Sequence, residues 1–203
     1  MRGFTPLVGS WAEYAYQQSR YFDGFQCNIR TMDIDFVIPN LRKPMHNVPL
    51  CDLMERNGFV VHQRRDGLTK FSGGDGPLEI EFISRDMGAG QNTPYMIESL
   101  GIKVEGLRHL EVLIKNTMLV LIGADYVNVP LPQAYVLHKL IINKYRGEKK
   151  TKDLISVDEL LPFIRQLESS YQILKEIYTN GLTKKERRLV DDVCRENAIE
   201  LFG

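Results

Sequence analysis

After Val129-Pro130-Leu131-Pro132 the spacing of apolar residues changes period, and that change constrains the fold more than any other feature of the chain. Upstream, apolar residues come in short runs separated by turn residues, the pattern of strands in an antiparallel or mixed sheet. Downstream, residues 133–145 carry apolar side chains at helical spacing, and the same period continues with interruptions to the end. The chain therefore reads as α+β: a mixed β-sheet core flanked by helices, followed by an all-helical C-terminal half. The expected boundary gives a unit over 1–130 and a helical unit over 131–203.

The spacing predicts a strand over 5–8, a helix over 11–19, a strand over 32–38 and a helix over 48–57 stopped by Gly58. Strands are expected over 59–62, 68–71 and 78–84, then a long aperiodic loop over 85–105 placed to close over a site. Short apolar runs follow at 110–114, 118–122 and 126–129. In the helical half, segments are expected over 133–145, 152–167 with a break or kink at Pro162, 171–179 and 184–201. Thr183 stands three residues before Glu186, the spacing of a capping box.

Composition narrows the functional class. The 203 residues are long enough to bury a sizeable core, and 26 basic against 26 acidic residues give no bulk preference for a polyanion. Cys27, Cys51 and Cys194 form no CxxC pattern, so reduced thiols are expected rather than a disulfide framework or structural zinc. No charged leader with an apolar run opens the sequence, and no stretch approaches the roughly 18 apolar residues of a membrane span. A soluble, cytoplasmic protein without a membrane partner is the expectation.

The chemistry-bearing residues lie on predicted strands. In Thr31-Met32-Asp33-Ile34-Asp35-Phe36 the two aspartates share one strand face, while Ile34 and Phe36 point to the other. Like charges held side by side call for a cation, and an all-oxygen pair suits Mg²⁺, although acidic pairs also occur on solvated strand faces. Leu78-Glu79-Ile80-Glu81-Phe82 repeats the pattern, so one of its acids can complete a three-carboxylate cluster if the strands are neighbours. Glu81 is preferred because the flank Phe82-Ile83 resembles Phe36-Val37; Glu79 is the alternative. Gly9-Ser10 stands at a strand-to-helix turn, either as a phosphate cradle at a helix N-terminus or simply as a turn and cap.

Gly9-Ser10, then Arg30-Thr31-Met32-Asp33-Ile34-Asp35-Phe36, then Ile80-Glu81-Phe82 resembles the pattern of the polymerase-beta-type nucleotidyltransferase superfamily. Val129-Pro130-Leu131-Pro132-Gln133-Ala134-Tyr135-Val136-Leu137-His138-Lys139-Leu140 with Lys152-Asp153-Leu154 further resembles its stand-alone prokaryotic branch, related to abortive-infection and toxin nucleotidyltransferases. The resemblance implies a nucleotidyltransferase core fold and Mg²⁺- or Mn²⁺-dependent transfer of a nucleoside monophosphate from an NTP to a hydroxyl, with release of pyrophosphate. It implies Asp33, Asp35 and Glu81 as metal ligands and catalytic residues, with Gly9 and Ser10 holding the β and γ phosphates. The acceptor would be a small molecule, a protein or an RNA. A catalytically silent NTP-binding module, or an interaction protein with a partner encoded by an adjacent gene, is the competing reading.

Lys139, Asn143 and Arg146 fall at i, i+4 and i+7 of the helix after Pro132, a face that can meet phosphate or solvent. Arg30 and Thr31 either position substrate or end a turn. The runs Lys149-Lys150-Thr151-Lys152 and Lys184-Lys185-Glu186-Arg187-Arg188 read as solvated charge, and His138, beside Leu137, as a packed, hydrogen-bonded residue rather than a ligand.

Overall fold

The computed structural model describes residues 5–28, 31–39, 47–73, 76–86 and 93–202. A central sheet is built from β1 (Leu7–Val8), β2 (Asp33–Ile38), β3 (Phe59–Gln63), β4 (Thr69–Gly73), β5 (Glu79–Arg85), β6 (Tyr95–Ile97) and β7 (Ile102–Leu107). Its order is β1-β2-β5-β4-β3, with β7 and β6 branching from β5. The two long central strands run parallel, pairing Asp33 with Glu79, Asp35 with Glu81 and Val37 with Ile83. One edge of β5 is shared: its first half pairs antiparallel with β4, and Ile83, Ser84 and Arg85 pair parallel with β7.

Helix α1 (Ser10–Ser19) follows β1, and α2 (Leu50–Arg56) precedes β3. A short helix α3 (Glu111–Lys115) leads into a two-stranded ribbon, β8 (Thr117–Ile122) and β9 (Asp125–Pro130). The C-terminal half comprises α4 (Pro132–Asn143), a 3₁₀ turn over Gly147–Lys149, α5 (Lys150–Gln166), α6 (Glu168–Glu176), a π turn over Ile177–Gly181 and α7 (Lys184–Glu196). The mixed sheet with flanking helices is thus α+β, as the change of period at Pro130-Leu131-Pro132 implies. Among the described residues, no helix is long and apolar enough to cross a membrane. Cys27, Cys51 and Cys194 are free thiols.

Three local expectations change. Residues 85–105 are not one continuous loop, since β6 and the first part of β7 lie within that stretch, while residues 87–92 of it lie outside the described residues. Ile102 and Val104 are buried while Lys103 and Glu105 are exposed, a two-residue alternation joined to β6 by a turn that needs Gly101 at φ +65°. The final helix stops at Glu196, short of residue 201, and Ala198 adopts φ +53°, outside helical geometry. Helix α5 runs on through Pro162 without ending. Pro162 is exposed, as is Asp158 one turn earlier, so the carbonyl deprived of its amide partner faces water.

Two apolar clusters sandwich the sheet. On one face Ile38, Leu50, Phe71, Phe82, Ile102 and Val104 pack together. The other joins Val37 and Ile83 to α1, β9, α4, α5 and α7, so residues on both sides of position 130 belong to one core. Side-chain alternation puts Asp33, Asp35 and Val37 on a common face, as it does Glu79, Glu81 and Ile83. The carboxylates therefore continue the face that the helical half covers.

Candidate active site

The parallel register of β2 and β5 places Asp33 beside Glu79 and Asp35 beside Glu81. Asp33, Glu79 and Glu81 each offer a carboxylate oxygen within 4.8 Å of the others, and this group is a candidate metal centre. This group contains Glu79 and not Asp35, which lies next to Glu81 in the register. Three acids so close, with Asp35 beside them, would repel one another strongly. Part of that repulsion is already offset by Lys70 on β4, whose Nζ lies 3.2 Å from Glu79 Oε2 and donates a shorter bond to Glu81 Oε1.

Asp35 is partly buried, whereas Asp33 is exposed. Burial, reinforced by the Glu81 and Asp33 charges, pushes its carboxyl up to about 6, while Arg146 and Lys149 pull it down. Gly9 forms the floor beside it. A methyl group added at Gly9 would lie 2.6 Å from Asp35 Oδ2, and the backbone there has φ +68°, so both space and conformation require glycine. Ser10, the buried first residue of α1, follows directly.

The remaining predicted residues are placed as follows. Thr31 Oγ1 accepts from the Asp33 amide at 3.2 Å and donates to Asp33 Oδ2 at 3.3 Å, so it orients the first aspartate. Arg30 lies outside the described residues. Lys139 is neither a solvated stripe nor an open cationic wall: it is 5% exposed, and its Nζ donates to Asp153 Oδ1 at 2.7 Å. Arg146 Nε bonds the other Asp153 oxygen at 3.1 Å and is half-buried, with its charge still felt at Asp35. His138 is packed as expected, but its Nε2 has no hydrogen-bond partner among the described residues.

Sequence reasoning missed three cations. Lys70 faces Glu81 across antiparallel strands, and only the unread pairing of β4 with β5 reveals it. Lys149 and Lys152 belong to a run read as solvated, yet Lys149 acts on Asp35 and the pKa of Lys152 is lowered by burial and by Lys139 and Lys149, with Asp33 opposing. Glu79 stood as the alternative to Glu81; the geometry brings both to the cluster.

A family model described as Nucleotidyltransferase matches residues 1–176. The chain belongs to this nucleotidyltransferase family. The carboxylate cluster, β1 with Gly9, and the helical segment carrying Arg146 all fall inside the matched span. The nucleotidyltransferase is also similar in fold to the crystal structure of an antigenic nucleotidyltransferase-like protein from Paracoccidioides brasiliensis. That likeness has a TM-score of 0.53 at 13% identity, covering 97% of this chain and 81% of that one. No curated protein gives a significant match. The family makes this nucleotidyltransferase an enzyme of phosphorus-containing group transfer.

Proposed function

We propose that the enzyme transfers a nucleoside monophosphate from an NTP to a hydroxyl acceptor in a Mg²⁺-dependent reaction, with pyrophosphate leaving. The observation that carries this reading is the register of β2 and β5, which sets Asp33, Asp35, Glu79 and Glu81 on one face beside Gly9. The donor set fits the ion. All ligand atoms are carboxylate oxygens, which suit a hard divalent cation such as Mg²⁺ or Mn²⁺ and not a thiolate-seeking metal.

Asp33, Asp35 and Glu81 would hold the metal, with Glu79 available as a further oxygen donor. Bound Mg²⁺ supplies positive charge for the triphosphate and for the oxygens that develop charge during displacement. The chain does the rest. Gly9 and Ser10 bring backbone amides at the start of α1 toward the β and γ phosphates, favoured by the helix dipole. Arg146 and Lys149, whose charges act on Asp35, and Lys152, which interacts with Asp33, give the site cations to meet phosphate, and Lys139 acts through Asp153 by anchoring Arg146. Thr31 orients Asp33. In the displacement the acceptor oxygen bonds to the α phosphorus, the bond to pyrophosphate breaks, and the hydroxyl proton passes to a carboxylate or to water.

The test is transfer of label from α-³²P-NTP plus Mg²⁺ across hydroxyl acceptors, beside calorimetry of Mg²⁺–NTP binding. Wild-type protein should yield labelled product and labelled-acceptor formation should vanish in Asp33→Asn and Glu81→Gln. Undiminished transfer in both variants would sink the assignment of these acids.

A further inference from the structure

A second concave feature lies between the end of β7, the C-terminal part of α4 and the first turn of α7. Its volume is about 380 Å³, within the range of small-molecule sites. Leu107, Leu110 and Ile142 give it an apolar wall. His109 and Tyr145 also line it, with their rings stacked at 6.1 Å and 14° to form a flat surface. Arg108, Arg146 and Lys185 supply cations, and among the described residues no carboxylate belongs to the lining.

Three details mark this as a built site. His138, 9% exposed, lines the cavity, and its buried Nε2 has no partner among the described residues. A buried imidazole nitrogen left unpaired costs free energy that a ligand's hydrogen bond would recover. His109 holds φ +63°, a conformation L-residues rarely adopt, and is fixed there by Glu186 at 2.8 Å. Lys185, at the start of α7, pairs with no acid among the described residues, whereas Arg108 and Arg146 are bound to Asp86 and Asp153.

We propose that this cavity binds a nucleoside monophosphate at a site separate from the carboxylate cluster. The heterocycle lies between the apolar wall and the His109–Tyr145 pair, a polar edge of the ring bonds His138 Nε2, and the phosphate meets Lys185 and Arg108. Neither ring nor charge alone satisfies such a lining. Arg146 belongs to both sites, since it lines this cavity and its charge reaches Asp35.

The test is calorimetric titration of the full chain with AMP, GMP, CMP and UMP in EDTA, where a metal-dependent donor site is silent. At least one monophosphate should bind saturably, with adenosine and inorganic phosphate each at least tenfold weaker than AMP if AMP is the ligand. Lys185→Glu, a surface change, should weaken binding at least tenfold, and Asp33→Asn should leave it unchanged. The His138 Nε2 resonance in ¹⁵N-histidine-labelled protein should move on binding, and His138→Leu should abolish the interaction. Absence of saturable binding by all four, or loss of binding in Asp33→Asn, would overturn the proposal. Because the titration excludes divalent ions, its result is independent of whether nucleotidyl transfer is detected.

Discussion

Replacing Asp35 by Asn should make the metal-free protein more stable at neutral pH while removing its metal binding. The carboxyl of Asp35 is raised from 3.8 to about 6 by burial and by Glu81 and Asp33. A raised acid binds its proton more readily folded than unfolded, so between these values the folded state carries more protons and stability falls as pH rises. A shift of about two units, at 1.36 kcal/mol each, corresponds to roughly 3 kcal/mol of strain at pH 7.5. His138 acts in the opposite sense: burial lowers it from 6.5 to about 3, and its contribution grows as pH rises through that window. Wild-type stability alone therefore mixes the two, and the difference between wild type and Asp35→Asn isolates Asp35. The assay is urea unfolding in EDTA from pH 4 to 7.5. Asp35→Asn should exceed wild type by up to about 3 kcal/mol at pH 7.5, and the gap should close toward pH 4. Added Mg²⁺ should raise the wild-type midpoint and leave the variant's nearly unchanged. A variant less stable than wild type at pH 7.5, or a pH-independent gap, would refute the reasoning.

Other substitutions probe the surrounding structure. Lys70→Met removes the cation that bridges Glu79 and Glu81, so Mn²⁺ should bind several-fold tighter in calorimetry; weaker binding would show that Lys70 organises the ligands instead. Asp153→Asn leaves the buried Lys139 ammonium without its carboxylate and should cost about 3 to 5 kcal/mol in chemical denaturation. A cost below 1 kcal/mol would mean that Lys139 escapes to solvent. Gly9→Ala strains a positive-φ position and drives a methyl into Asp35, so about 1 to 3 kcal/mol of stability and most nucleotide binding should be lost.

What the sequence disclosed follows from the range of the interactions. Alternation in Asp33-Ile34-Asp35-Phe36 and Glu79-Ile80-Glu81-Phe82 is local, so both strands and their acidic faces could be read directly. The capping box at Thr183 and Glu186 is likewise local and is present. The partner of each strand is not. That β5 has β2 on one side and β4 and β7 sharing the other depends on long-range pairing, and with it the arrival of Lys70. Lys139 was ambiguous for the same reason: its helical position gives a face, but only the packing of α4 on α5 supplies Asp153. Residues 102–105 alternate clearly, but the glycine-rich segment before them hid the strand.

The pairing of like charges across β2 and β5 also bears on how the sheet is assembled. Opposed Asp33–Glu79 and Asp35–Glu81 push their ends apart, whereas Phe36–Phe82 and Val37–Ile83 draw theirs together. The two strands behave as a zipper with one sticky end and one repulsive end, closing from Ile38 back toward Asp33. Amide hydrogen exchange in EDTA should then run as a gradient along β2, slowest near Val37 and fastest near Asp33, flattening when a divalent ion is added. Uniform protection along the strand without metal would exclude this. The ion in such a sheet acts as the last tooth of the zipper, and fidelity of strand registration becomes a property that ligand concentration can tune.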